Sequence, residues 1–144
     1  MFQEVPPTVL AIGVSGLPMR SSTLDIYVAS TLRETLATIR LIGFDLVLAG
    51  FENESLNVWD AMERVLAVCP SQRWILASPE VAQEEEILAR SLGALLVLNA
   101  VPDERWLTDF IASQRRRQLA RRMPALSTSP AVPQLVGNIG APAS

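Results

Sequence analysis

The sequence contains no histidine, no lysine and a single cysteine, and no apolar run in it approaches the ~20 residues that a membrane-spanning helix needs. Without histidine the chain loses the commonest acid–base side chain, the commonest metal ligand and any phosphohistidine; Ser-His-Asp and Cys-His arrangements are excluded outright. Without lysine there is no Schiff base and no P-loop lysine, and all twelve positive charges are arginine. A lone Cys69 forbids an internal disulfide and agrees with a reducing compartment. It precedes Pro70 at a predicted helix end and reads as a small buried apolar residue. The first residues, Met1 to Pro7, lack the basic start and apolar core of a signal peptide, so a cytoplasmic location is expected. No metal-ligand cluster is visible and no cofactor is implied. Gly13 and Gly16 hint at a phosphate-cradling turn, but no third glycine opens a helix after them. These exclusions point away from an enzyme.

The charge that is present is unevenly spread. Residues 1–112 carry seven arginines against all fifteen carboxylates, a net of −8, whereas residues 113–123 carry five arginines and no acid. An acidic body with a short basic end is the expected result. Beyond it, residues 124–144 hold four prolines and no charged side chain. That stretch reads as a Pro/Ala/Ser-rich tail without fixed secondary structure, although it keeps Leu126, Val132, Leu135, Val136 and Ile139. The expected organisation is therefore a domain over 1–123 and a tail over 124–144.

Within 1–123, apolar runs and helical periodicities alternate. Strands are predicted over 8–14, 24–30, 44–51, 73–77 and 94–98, the second lying near a sheet edge because it alternates. Thr31 to Glu34 is a capping-box pattern opening a helix that Gly43 ends. Leu56 to Val68 has helical spacing through Trp59, Met62 and Val65. Ser78-Pro79-Glu80 reads as a helix start, with Ser78 as N-cap and Pro79 at the first helical position, and the helix stops at Gly93. The last helix starts at Asp103 and continues through the arginines to Pro124. Between the first two strands only nine residues, 15–23, remain. A parallel crossover normally needs about a dozen or more, so its helix is missing or reduced to one turn. Five strands alternating with helices imply an α/β fold with a parallel sheet of order 2-1-3-4-5. Trp59, Trp74 and Trp106 read as packing residues.

The run Phe44-Asp45-Leu46-Val47-Leu48-Ala49-Gly50 resembles the third strand of bacterial response-regulator receiver domains, where the pattern is aromatic-Asp-Leu-Val-Leu-X-Asp. Ile75 to Ser78 and Ala89-Arg90-Ser91-Leu92-Gly93-Ala94 resemble the segments around that family's fourth and fifth strands. Together these cover about residues 8–115. The resemblance implies a flavodoxin-like receiver fold, and it places the family's phosphorylation site on residues that cannot perform it. The acidic pair that binds Mg²⁺ falls on Gly13 and Val14, the phosphoacceptor on Gly50, and the lysine after strand five on Ala100. Only the hydroxyl position, Ser78, is retained. Aspartyl phosphorylation needs a carboxylate nucleophile and a divalent ion held by hard oxygens, and neither is supplied. Glu52 and Glu54 beside this site read as a solvated acidic turn, or as a fixed negative charge in place of a phosphoryl group.

Surfaces then carry the function. Loss of the first crossover helix is expected to leave strands one and three partly uncovered, to be covered by the tail, a second copy or another protein. Glu84, Glu85 and Glu86 could pair with Arg115, Arg116, Arg117, Arg121 and Arg122 of a neighbouring copy, on the face that the resembling family uses for dimers and partners. The chain thus reads as a non-phosphorylated pseudo-receiver, a signal-transduction module of two-component type acting by protein–protein interaction, with a homodimer expected and no membrane partner. Two alternatives stay open: a small ligand in the emptied pocket, or nucleic acid bound by the arginine-rich helix.

Overall fold

The apolar runs become strands, and those at the centre of the sheet bury side chains on both faces, as crossover topology requires. The computed structural model describes residues 6–17 and 23–122. Within them the elements are β1 (Thr8–Ile12), β2 (Asp25–Ala29), α1 (Leu32–Leu41), β3 (Leu46–Ala49), α2 (Val58–Val68), β4 (Trp74–Ala77), α3 (Gln83–Ser91), β5 (Leu96–Leu98) and α4 (Glu104–Arg122). All five strands pair in parallel, in the order β2-β1-β3-β4-β5, so β2 is an edge strand as expected. Two compact units divide the chain, Met1–Ile111 and Ala112–Ser144; the residues of α4 up to Ile111 belong to the first.

Alternate residues of the central strands feed two apolar layers. Leu10, Ile12, Val47, Trp74 and Leu76 pack with Ile39 of α1, with Val58, Met62 and Val65 of α2 and with Ala89 of α3. Val9, Ala11, Leu46, Leu48 and Ile75 pack with Val14, Leu24, Leu107 and Ile111. The second layer bears on the face beside the missing crossover helix. Val9, Ala11, Leu46 and Leu48 are all 0% exposed, so the face next to the shortened β1–β2 connection is covered. Leu107 and Ile111 of α4 lie on it, joined by Leu17, Trp106 and Phe110. Each fully buried aliphatic side chain stabilises by about 1.5–3 kcal/mol relative to exposure, which is why a short connection with only a few apolar residues suffices there. That connection has no helix among its described residues 13–17 and 23–24. Residues 18–22 and the tail 124–144 lie outside the described residues.

The ends of the helices follow from local hydrogen bonding. Thr31 Oγ1 accepts from the Glu34 amide at 3.0 Å, and the Glu34 carboxylate accepts from the Ser30 amide at 2.7 Å. Asn57 Oδ1 caps α2 by accepting from the Asp60 amide at 3.0 Å, and the helix starts at Val58, two residues later than the periodicity suggested. Asp103 Oδ1 caps α4 through the Trp106 amide at 2.8 Å. The start predicted at Ser78 is wrong. The Ser78 amide is used by the sheet, donating to Leu98 at 3.1 Å, and its hydroxyl turns to the Glu80 carbonyl at 3.5 Å. The chain therefore stays non-helical through Ala82, where the Glu85 carboxylate accepts from the Ala82 amide at 2.8 Å and α3 begins.

At the N-terminal edge of the sheet, Asp45 Oδ2 accepts from the Thr8 amide at 2.9 Å, while the Asp45 amide donates to the Thr8 carbonyl at 3.0 Å. The acid of the Phe-Asp-Leu-Val-Leu run is thus a structural clamp between β1 and β3. Trp74 is fully buried and donates its indole N–H to the Leu92 carbonyl at 3.2 Å, tying β4 to the end of α3. Trp59 rests on Phe51 with ring centroids 5.6 Å apart, and Trp106 stacks on Phe110 at 5.1 Å. Cys69 is half-buried at the C-terminus of α2 rather than fully enclosed.

Candidate functional site

Parallel α/β sheets present their working residues at the C-terminal strand ends, and β1 and β3 end side by side there. The Gly50 amide donates to the Ile12 carbonyl at 2.9 Å, and the Glu52 amide donates to the Gly13 carbonyl at 2.9 Å. These two bonds carry the β1–β3 ladder past the strand ends, drawing the backbones of Gly13 and Gly50 together. A β-carbon on Gly13 would stand 2.4 Å from the Gly50 carbonyl oxygen. One on Gly50 would stand 2.7 Å from the Ala77 carbonyl oxygen, 2.9 Å from that of Gly13 and 2.9 Å from Val14 Cγ2. Gly13 also sits at φ 68°, the left-handed region that a side chain disfavours. Nothing larger than hydrogen fits at either position without moving backbone.

Gly13, Val14, Gly50 and the end of β4 thus meet. Ser78, 6% exposed, is next along from Ala77, while Ala100 lies exposed beyond β5. The space expected to be empty at Gly50 is filled by main chain and the Val14 side chain. An open cavity of about 280 Å³ lies next to it, walled by Gly13 to Ser15, Val28 to Ser30 and Glu52 to Glu54.

Two polar braces frame that cavity, and neither was legible in the sequence. The Glu52 carboxylate accepts from the Ser15 hydroxyl and, at 3.3 Å, from the Ser15 amide. Asn53 Nδ2 donates to the Ser30 carbonyl at 2.9 Å, and its Oδ1 accepts from the Ser55 amide at 3.1 Å and hydroxyl at 2.7 Å. The loop after β3 is thereby tied to the ends of both β1 and β2. The partners are 37 and 23 residues apart, with no local pattern joining them. Glu54 is exposed. Among the described residues no group of three or more His, Cys, Asp or Glu side chains is placed to hold a metal ion.

The expected surface residues fall into separate units. On α3, Glu85 serves the helix start, and Glu86 forms an i,i+4 ion pair with Arg90 at 3.2 Å; Glu84 is exposed. Ile87 and Leu88 on the same helix are 61% and 41% exposed, and Leu95 just before β5 is 38% exposed. In the second unit, Arg116 to Ala120 of α4 are exposed, with Leu119 at 60%. Arg115 is half-exposed, and positions 121 and 122 continue the helix.

This five-stranded parallel sheet of order 2-1-3-4-5 with flanking helices is the flavodoxin-like fold of response-regulator receiver domains. A receiver domain protein (CheY-like) from Methanospirillum hungatei JF-1 superimposes with a TM-score of 0.56 at 14% identity, over 83% of this chain and 98% of that one. A two-component response regulator from Clostridium difficile gives 0.61 at 13% identity, over 78% and 98%. The N-terminal domain of an uncharacterized protein from Wolinella succinogenes gives 0.61 at 14% identity, over 81% and 99%. No family model and no curated protein matches the sequence. The shared feature is the fold. No helix among the described residues is long and apolar enough to cross a membrane.

Proposed function

We propose that this chain is a receiver-like regulatory module that works without phosphorylation, through contact with another protein. The observation that carries the reading is the closed approach of Gly13 and Gly50, which leaves no room for a carboxylate where receivers of this fold are expected to carry one. A side chain at Gly50 would have to displace the carbonyl oxygens of Gly13 and Ala77. The Glu52–Ser15 contact bridges the two loops with the chain's own anion, so the loop after β3 is held in one arrangement without an added group.

The contact surface in this reading is α3 with the turn into β5. Ile87, Leu88 and Leu95 are large, apolar and exposed, a combination that marks interaction surfaces when the residues are contiguous. A second copy of the chain is the expected partner, with Glu84 at the rim. The reading of a ligand-binding module rests on the 280 Å³ cavity beside Glu52 rather than on space at Gly50.

The deciding experiment exposes the purified chain to a small-molecule phosphodonor with Mg²⁺, and separately to beryllofluoride, followed by intact-mass and amide NMR spectra. The expected result is no mass increase and no displacement of the Gly50 to Ser55 amides. A stoichiometric acid-labile adduct would overturn the proposal. The interaction mode is tested by sedimentation of the wild type and of I87E/L88E; association that the double variant does not weaken would move the surface elsewhere.

A further inference from the structure

We infer that the outer edge of β2 pairs antiparallel with β2 of a second copy, joining two sheets across a two-fold axis at Tyr27. β2 has β1 on one side and no strand on the other. Pairing with β1 uses the main-chain groups of alternate residues. The Asp25 amide donates to the Pro7 carbonyl at 2.9 Å, so Tyr27 and Ala29 face β1 as Asp25 does. Ile26 and Val28 turn their amides and carbonyls outward, and among the described residues nothing meets them there. Tyr27 and Val28 are 39% and 48% exposed, and Ile26 is half-buried. Sheet proteins normally blunt such an edge with a charge, a proline or a bulge. Ile26-Tyr27-Val28 has neither charge nor proline, and its register with β1 is unbroken.

The pattern of the edge selects its occupant. Outward donors and acceptors at strand spacing are matched by another extended segment, because a helix has spent its own main-chain groups internally. The sheet has one further edge strand, β5. It is three residues long, and its Leu98 carbonyl already accepts from the Ser78 amide at 3.1 Å. β2 matches itself. With Tyr27 opposite Tyr27, Ile26 faces Val28 of the second copy in both halves, and every outward amide of these residues meets an outward carbonyl.

Other registers fit less well. Centring the pair on Ile26 or on Val28 would call on Leu24 or Ser30. The Ser30 amide is already given to the Glu34 carboxylate at 2.7 Å, and Leu24 has a contact of its own. Centring on Tyr27 uses only the groups that have nothing to give up. Asp25, the one charged residue of the strand, then falls opposite Ala29, so no like charges oppose each other. The two Tyr27 side chains stand at a non-hydrogen-bonded pair, where side chains come closest. Each is already packed edge-on against Phe44, with ring centroids 5.4 Å apart. This contact is separate from the α3 surface, which lies by β5 at the opposite end of the sheet.

The test uses the full chain, both as wild type and as I87E/L88E, so that loss of the α3 contact is not mistaken for loss of this one. Sedimentation velocity over a wide concentration range should show reversible dimerisation in both. Val28→Pro removes an outward amide that the β1 ladder does not use. It should weaken association at least tenfold with an unchanged circular dichroism spectrum. Val28→Lys, at the same exposed position, should act in the same direction and guards against a folding effect of proline. Amide exchange at Ile26 and Val28 should slow as concentration rises. In a Cys69→Ala background, Tyr27→Cys should cross-link two copies under mild oxidation, since such facing residues have Cα atoms about 4.5 Å apart. Val28→Cys, out of register with itself, should not. A monomer at every concentration in the I87E/L88E background overturns the inference, as does dimerisation that neither Val28 variant weakens. Equal cross-linking through Val28→Cys would show another register, and protection of both amides at every concentration would show that the chain's own residues cover the edge; either also overturns it.

Discussion

The carbonyl oxygen of Gly50 lies 2.4 Å from where a β-carbon on Gly13 would be, and the carbonyl oxygen of Gly13 lies 2.9 Å from where one on Gly50 would be. Each glycine occupies the side-chain space of the other. The obstructing atoms are main chain, which cannot swing aside as the end of a long side chain can.

The first prediction concerns Gly50 itself. Gly50→Ala should destabilise the fold by about 1–3 kcal/mol, the usual cost of overpacking a closed site, and Gly50→Asp by more because it also buries a carboxylate. Urea denaturation measures both. Gly50→Asp should still give no phospho-adduct with a small-molecule donor, because Gly13 and Val14 supply no side-chain oxygens for a metal.

Comparison of two glycines separates crowding from backbone conformation. Gly13 and Gly16 both have positive φ, 68° and 85°, but a β-carbon on Gly16 meets nothing within 4 Å. Gly16→Ala should therefore cost only the left-handed penalty of about 1–2 kcal/mol. Gly13→Ala should cost distinctly more. Equal losses in chemical denaturation would show that the β1–β3 approach is not tight.

Leu107 tests the cover over the second apolar layer. It is 0% exposed and packs on the face beside the shortened connection. Leu107→Ala should destabilise by about 2–5 kcal/mol, whereas Leu119→Ala, at a side chain 60% exposed, should change stability by less than about 0.5 kcal/mol. A small loss at Leu107 would mean that α4 does not close that face.

Thr31 and Ser78 distinguish a true helix cap from an apparent one. Thr31→Ala should cost about 1 kcal/mol because it removes the acceptor for the Glu34 amide. Ser78→Ala should cost less, since its hydroxyl makes one long contact to Glu80 and caps no helix. Thermal unfolding of the two variants under the same conditions supplies the comparison.

The architecture was legible because its signals are local. Buried runs such as Leu46 to Ala49 and Trp74 to Ala77, separated by amphipathic helices, specify a parallel sheet, and the order 2-1-3-4-5 follows from the alternation and from the resemblance. The start of α3 was misread because Ser78-Pro79-Glu80 has the composition of a helix N-terminus. The sheet claims the Ser78 amide first, through Leu98, and no local rule weighs a bond made 20 residues away. The packing on the face beside the missing helix was illegible for a similar reason: Leu17 and Leu24 in the connection and Leu107 in the last helix converge only in three dimensions.

At the candidate site the identities of Gly13, Val14 and Gly50 were readable, but their mutual closure was not. An absent carboxylate looks in sequence like a vacancy, while the fold turns it into solid contact. Ser15 and Glu52, and Ser30 and Asn53, were invisible as pairs because serine, glutamate and asparagine in loops carry no signature of a distant partner.

The mutual occupation of Gly13 and Gly50 also constrains the routes by which the sequence can change. A side chain at position 50 is obstructed while Gly13 stays where it is, and one at position 13 is obstructed while Gly50 does. Acquiring acidic groups at both would require the two strand ends to separate first, with loss of the bonds from Gly50 to Ile12 and from Glu52 to Gly13. Single substitutions are therefore uphill from either direction, and the pair acts as a ratchet: the protein is free to vary its surface while this corner of the sheet is closed to gradual change.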